Sequence, residues 1–205
     1  KKIVVATNGF YQEGLIPQMD GRVLPVISNI IVTRKLNEEE INIHNFKTFS
    51  PIANTKNLLY YYRKLPDNRI LFGTRGDLTG SNQSNLDMSK KMEKFLKDIF
   101  PAWSNVTIDY NWRGLIALSQ KLTPSIGKIE DEEIYYGFGY NGVGVSAAPW
   151  AGKQLSKLVF SSNSKELDIS KIYKGLPEKF IFPQLRTFYF RLAVWFYAIK
   201  DKLNI

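Results

Sequence analysis

Tyr136-Gly137-Phe138-Gly139-Tyr140-Asn141-Gly142-Val143-Gly144-Val145 is the stretch on which the reading of this chain turns. Upstream, Ile134-Tyr135-Tyr136 reads as an apolar strand. Downstream, Val145 to Val159 reads as a helix, and Pro149 must then sit in its first turns, where a missing N–H costs least. Strand, glycine turn and helix together contain a formal G-x-G-x-x-G. A dinucleotide-binding βαβ unit also needs a second apolar strand ending in an acid for the ribose. Here Ser161-Ser162-Asn163-Ser164-Lys165-Glu166-Leu167-Asp168 follows instead, which is polar and not strand-like, so that motif is rejected. Its physical content survives. A glycine-rich turn lets backbone approach a flat ligand, and a helix start offers free N–H groups and a positive dipole end. Such an end can stabilise negative charge on a reduced cofactor ring. The plain alternative is a tight strand-to-helix turn with no ligand.

Outward from this turn the chain alternates strands and helices. Ile3 to Ala6 suits a buried strand, ended by Thr7-Asn8-Gly9. Residues 22–36 are β-rich, with Pro25 at a strand start or edge. Residues 57–63 and 69–74 flank Leu65-Pro66-Asp67-Asn68, a turn chemistry that predicts a hairpin. Ser84-x-x-Asp87 resembles an acidic capping box. It precedes Met88, Met92, Phe95, Leu96 and Ile99 at helical spacing, and Pro101 stops the run. Val106 to Trp112 alternates like a half-buried strand. Ser161 to Ser170 is polar, and a last, very apolar helix spans roughly Leu185 to Leu203. Arg186, Arg191 and Lys200 make that helix too charged, and its length too short, to span a bilayer. Docking onto protein is the preferred reading, with a membrane surface as the alternative.

Composition narrows the classes. Of the 205 residues, 44% are hydrophobic and 14% aromatic, enough for a packed core. No cysteine is present, which excludes disulfides, thiolate metal sites and a cysteinyl-linked cofactor, and makes a reducing cytoplasm the simplest home. His44 is the single histidine; it is read as a loop residue, and neither a zinc site nor a Ser/His/Asp arrangement can be built from it. Net charge is +9, which allows anionic partners, yet there is no basic run and the aromatics lie in apolar stretches. Nucleic acid is therefore not expected as a partner.

Several separated segments, in order, resemble the D-amino-acid-oxidase-like superfamily of FAD-dependent oxidoreductases. Lys2 to Phe10 resembles its late FAD-domain strand and turn. Arg69 to Gly76 resembles its substrate-domain strand. Trp112-Arg113-Gly114 with Thr123-Pro124-Ser125-Ile126-Gly127 resembles its return segment, and the glycine turn resembles its flavin-facing turn, with Ala151-Gly152-Lys153 on the next helix. Pro177, Phe180, Phe182, Pro183 and Arg186, then Trp195-Phe196-Tyr197, narrow the likeness to the gamma-glutamylputrescine oxidoreductase-like branch. Two positions depart from the pattern: Lys121 stands near where the family has an acid, and Val143 where a histidine is frequent.

The resemblance implies an α+β fold: a mixed, mainly antiparallel sheet with flanking helices, plus remnants of the FAD-binding domain. It divides the chain into 1–20 (end of the FAD-binding domain), 21–122 (substrate domain), 123–160 (return segment with the flavin-facing turn) and 161–205 (docking helix). It implies non-covalent FAD against Thr7, Asn8, Gly9, Thr123, Pro124, Gly127, Gly139, Tyr140, Asn141, Gly142, Val143 and Gly144. Arg75 is the candidate for a substrate carboxylate, because guanidinium binds carboxylate in a fork. Tyr60, Tyr62 and Trp112 are candidates for an aromatic wall, with cross-strand packing as the alternative. The implied reaction oxidises an amine or amino acid by hydride transfer to flavin. The nucleotide-binding half would lie in an amino-terminal region, without which FAD is expected to bind weakly or not at all. An apolar face around Ile3 to Ala6 and Gly139 to Val145 is then expected to be exposed, favouring that half or self-association. The other reading is a binding module that keeps the fold without redox chemistry.

Overall fold

A computed structural model describes residues 1–160 and 168–203. Among them the elements run β1 (Ile3–Val5), β2 (Leu24–Thr33), α1 (Glu38–Ile43), β3 (Ile52–Ala53), β4 (Tyr60–Lys64), β5 (Ile70–Arg75), α2 (Asn82–Ile99), β6 (Ile108–Leu118), β7 (Ser125–Lys128), β8 (Ile134–Phe138), α3 (Gly144–Phe160) and α4 (Arg186–Leu203). The chain divides into two compact units, one of residues 1–26 and 115–189, the other of 27–114 and 190–205.

The first unit is built on a three-stranded sheet in the order β1-β8-β7, with β1 parallel and β7 antiparallel to β8. Alternation along β8 sorts its side chains. Tyr135 joins Ile126, Ala151, Leu155 and Leu158 in a cluster with α3. Tyr136 and Phe138 join Val5, Met19, Val23 and Ala117 in another. Gly137 lets α3 approach, since a Cβ there would lie 2.9 Å from Leu155 Cδ1. β1 forms where expected, but it is not buried: Ile3 and Val4 are 56% and 49% exposed, and only Val5 is enclosed. An edge strand paired on one side leaves its outer residues to solvent. The polar stretch expected after α3 lies mostly at residues 161–167, outside the described residues.

The second unit is built on a five-stranded sheet in the order β3-β4-β5-β2-β6. β3/β4, β4/β5 and β5/β2 are antiparallel. The β4–β5 hairpin closes at Leu65–Asn68, with Asn68 in the left-handed region at φ 65°. Ile31, Ile70 and Phe72 on one sheet face pack with Met92 and Leu96 of α2 and with Phe100 and Trp103. α2 starts earlier than its acidic tetrad suggested. Ser81, not Ser84, is the N-cap, its Oγ accepting from the Ser84 amide at 3.1 Å. Gly80, at φ 75°, swings the chain into that cap. α1 had no counterpart in the sequence reading; Asn37 and Glu40 form a reciprocal capping box there. His44 lies in the turn that closes α1, a loop position as expected, with its ring packed edge-on to Phe100 and Trp103 at centroid distances of 5.2 and 5.0 Å. β6 runs on to Leu118, well past Trp112, and Tyr110 and Trp112 are exposed where alternation suggested half-burial. The fold class, α+β with a mainly antiparallel sheet, is the one expected.

Candidate cofactor-facing turn and substrate-domain face

The glycine turn is locked from beneath. Gly139, Asn141 and Gly142 have φ of 71°, 50° and 92°, all left-handed, which glycine and asparagine tolerate. Asn8 is itself at φ 49°, and its Oδ1 accepts from the Gly139 amide at 3.0 Å. Asn141 Oδ1 accepts from the Ser119 amide at 2.9 Å, while the Asn141 amide donates to Ala117 O at 3.0 Å. Asn141 Nδ2 donates to Gly139 O. The structure thus brings the Thr7–Gly9 turn and the Gly139–Gly144 turn into one hydrogen-bonded web. Thr123 lies at its border, its carbonyl oxygen 4.0 Å from where a Gly139 Cβ would be. Pro124 and Tyr140 are buried, and burial pushes the Tyr140 phenol up. Gly127 has another explanation: a Cβ there would meet Tyr136 Oη at 2.5 Å, so its bareness serves packing. Gly9 likewise makes room for Leu115, whose Cβ would lie 3.1 Å from a side chain there.

Outward, the turn is open. A Cβ on Gly142 would meet nothing within 4 Å, and Val143 and Val145 are 55% and 96% exposed. Val143 O accepts from the Ser146 and Ala147 amides as α3 begins. The Gly144 and Val145 amides find no acceptor among the described residues. A rigid glycine floor, two free amides and the positive end of a 17-residue helix suit the edge of a flat, electron-rich ring. Nothing comparable for a pyrophosphate is present among the described residues, where no strand follows α3.

In the second unit, the predicted substrate residues separate. Tyr60 packs on Phe95 and Phe72 at 4.8 and 5.7 Å, and Tyr62 on Phe100 and Phe72 at 5.4 and 6.1 Å. Both rings therefore belong to the aromatic core beneath α2, and burial raises the Tyr60 pKa. Trp112 is exposed on β6, with β2 between it and β5. Arg75 ends β5. Its Nη1 donates to Gly76 O at 3.3 Å, its Nε is buried without a partner, and burial lowers its pKa. Tyr61, passed over in the sequence, lies against Gly73 with its hydroxyl 3.2 Å from Ser28 Oγ. Strand alternation was the signal that separates Tyr61 from Tyr60 and Tyr62.

Comparison with known families agrees with this geometry: the profile of the FAD dependent oxidoreductase family, DAO, matches residues 1–158. The chain belongs to that family. Among curated relatives of this chain, gamma-glutamylputrescine oxidoreductase of Escherichia coli is 28% identical over 208 residues, covering 100% of this chain and 47% of the relative. Probable oxidoreductase OrdL of Haemophilus influenzae is 30% identical over 212 residues, covering 98% of this chain and 45% of the relative. The chain thus spans about half the length of the curated relatives it matches. Among solved structures, glycine oxidase from Bacillus cereus superposes with a TM-score of 0.63 at 18% identity, over 82% of this chain and 44% of the other. L-proline dehydrogenase from P. horikoshii gives 0.60 at 21%, over 82% and 44%. Both support the fold. No helix among the described residues is long and apolar enough to cross a membrane.

Proposed function

We propose that this chain is the carboxy-terminal, substrate-side part of an FAD-dependent oxidoreductase that oxidises an amine or amino acid, completed by an amino-terminal nucleotide-binding half. The observation that carries the proposal is the locked turn at the start of α3, with its open glycine surface and two unpaired amides. Bound FAD would supply the hydride acceptor for the carbon next to the amine nitrogen, the imine then being hydrolysed. The Gly144 and Val145 amides, with the helix dipole behind them, offset negative charge that develops on the ring edge. Asn8 and Asn141 hold those donors in place before any ligand arrives, so no reorganisation is needed during reaction. Thr123 and the Thr7–Gly9 turn border the same web, and Gly142 and Val143 form its open surface. The relative from E. coli is named for a substituted polyamine, which favours a small-molecule amine as substrate here. A cytoplasmic location fits the absence of cysteine.

The test is a visible absorption spectrum of the purified chain with and without FAD, repeated with the amino-terminal half of a relative supplied in trans. The expected result is a bound-flavin spectrum only when that half is present, with bleaching on addition of an amine substrate. A chain that never acquires flavin signal with any such half would end this reading.

A further inference from the structure

At the end of β7 away from the glycine turn, the first unit holds a cavity of about 660 Å³ that the cofactor reading leaves unused. Three cations line it, Arg22, Lys128 and Lys179, against one carboxylate, Glu130. Backbone oxygens set two of the cations in place. Arg22 donates through Nε to Gln18 O and through Nη1 to Pro177 O. Lys179 Nζ reaches Pro17 O at 3.4 Å, and the Phe180 amide donates to Gly21 O at 2.8 Å, which ties the two segments together. Lys128 shares its charge with Glu133 at 2.6 Å. Arg22 and Lys179 form no ion pair among the described residues. Like charges gathered round one hollow repel, and carbonyl oxygens carry no counter-charge to offset them. The wall adds a donor. Tyr136 is only 2% exposed, its ring packed with Val5, Met19 and Phe138. Its phenol lies across β7 because Gly127 is bare; a Cβ there would be 2.5 Å from the Tyr136 hydroxyl. That hydroxyl lines the cavity and forms no hydrogen bond to a described residue, although buried polar groups ordinarily have one. Burial pushes the phenol up to about 12, outweighing the nearby Arg22 charge, so at neutral pH it is a proton donor without an acceptor.

We propose that Arg22, Lys128, Lys179 and the Tyr136 hydroxyl form a binding site for a phosphate dianion, free or carried on a small organic molecule. The guanidinium and the two ammonium groups supply charge, and the phenol supplies a directed donor. Donors converging from several residues suit an anion with three or more acceptor oxygens, whereas a planar carboxylate is satisfied by a single fork. Ile129 and Leu176 complete the wall and give an apolar body beside the phosphate a surface to rest on. All of these residues belong to one unit, and the site stands whether or not the chain takes part in flavin chemistry.

The experiment is isothermal titration of the full chain, without flavin and at fixed ionic strength, with inorganic phosphate and with phenyl phosphate, benzyl alcohol serving as the neutral control. Both phosphates are expected to bind at a single site, and benzyl alcohol not. Tyr136→Phe keeps the buried ring and should weaken phosphate about fivefold, the loss of one hydrogen bond. Arg22→Gln should weaken it about tenfold or more, since a charge-assisted contact is lost. Lys179→Gln, at an exposed position, should cost about threefold. Lys153→Gln removes one exposed charge from α3 and should change nothing, which separates a built site from attraction to the net charge of +9. Circular dichroism with thermal unfolding checks each variant's fold. Should Arg22→Gln fail to fold, because Arg22 also ties Gln18 to Pro177, Tyr136→Phe and Lys179→Gln still decide the matter. Tighter binding of phenyl phosphate assigns the site to a phosphate ester, and equal or weaker binding assigns it to free phosphate. No binding in the wild type, unchanged affinity in folded Tyr136→Phe, or an equal loss in Lys153→Gln and Lys179→Gln overturns the site.

Discussion

Asn8 and Glu40 show how much one side chain can hold. Asn8 supplies both a tolerated left-handed backbone and the acceptor for the Gly139 amide. Asn8→Gly keeps the backbone and loses the bond, for a cost of about 1 kcal/mol. Asn8→Ala adds the left-handed penalty, for about 2 kcal/mol in total. Urea unfolding midpoints check that order: an Asn8→Gly midpoint equal to wild type would refute the bond to Gly139, and equal midpoints for the two variants would refute the left-handed penalty. Glu40 joins Arg34 through 2.6 and 2.9 Å bonds and caps the Asn37 amide at 2.9 Å. The hydrogen bond from Arg34 is the main cause holding its carboxyl at about 2, against an ordinary 4.5. A carboxyl depressed in the folded state adds stability that is complete above its unfolded value and lost as pH falls through the folded one. The acid limb of the stability curve between about pH 5 and 2 should therefore be shallower in Glu40→Gln. Partial exposure keeps the expected loss at neutral pH to about 1 kcal/mol. The same scale separates what the sequence disclosed from what it hid. Tyr60, Tyr61 and Tyr62 are one residue type in a row, and only the side on which Phe72 and Gly73 fall tells which tyrosine faces the core.

At the scale of elements, strong local signals were legible. The β4–β5 hairpin follows from Pro66 and Asn68, and α2 from its apolar spacing. α3 tolerates Pro149 in its second turn, close to where the sequence placed it. The glycine turn could be seen as a turn, but its anchors could not, because Asn8 lies 131 positions from Gly139 in the chain. α1 escaped because six residues with an acidic first turn carry too little apolar periodicity to announce a helix. The start of α2 was misplaced by three residues because Ser81 and Ser84 offer equivalent capping chemistry, and only Gly80's left-handed backbone chooses between them. That choice is testable. Ser81→Ala should cost about 1 kcal/mol, the usual loss of an N-cap, whereas Ser84→Ala should cost a few tenths. Thermal unfolding of the two variants reads the difference, and the reverse order would restore the acidic tetrad as the cap.

For the whole molecule the deciding quantity is exposed apolar surface. In the first unit Ile3, Val4, Val143 and Val145 are open, close to the expected apolar face. In the second, Leu192, Trp195, Phe196, Ile199 and Leu203 form a stripe along α4, all exposed, with Trp195 at 67%. Those α4 positions recur at three- and four-residue steps, the spacing of one helix face. Contiguous apolar patches of this kind mark surfaces that another surface covers. The net charge of +9 opposes association at long range, and salt screens that repulsion within about 10 Å at 0.1 M ionic strength. The purified chain is therefore expected to self-associate, and to do so more strongly as salt rises, because apolar contact persists while like-charge repulsion fades. Sedimentation velocity at low and high salt measures this directly, and Trp195→Lys, which places a charge at the centre of the α4 stripe, should shift the chain toward monomer. A monodisperse monomer at both ionic strengths would show that the stripe does not drive association. Weakening of the oligomer by salt, with no response to Trp195→Lys, would assign the contact to charges instead.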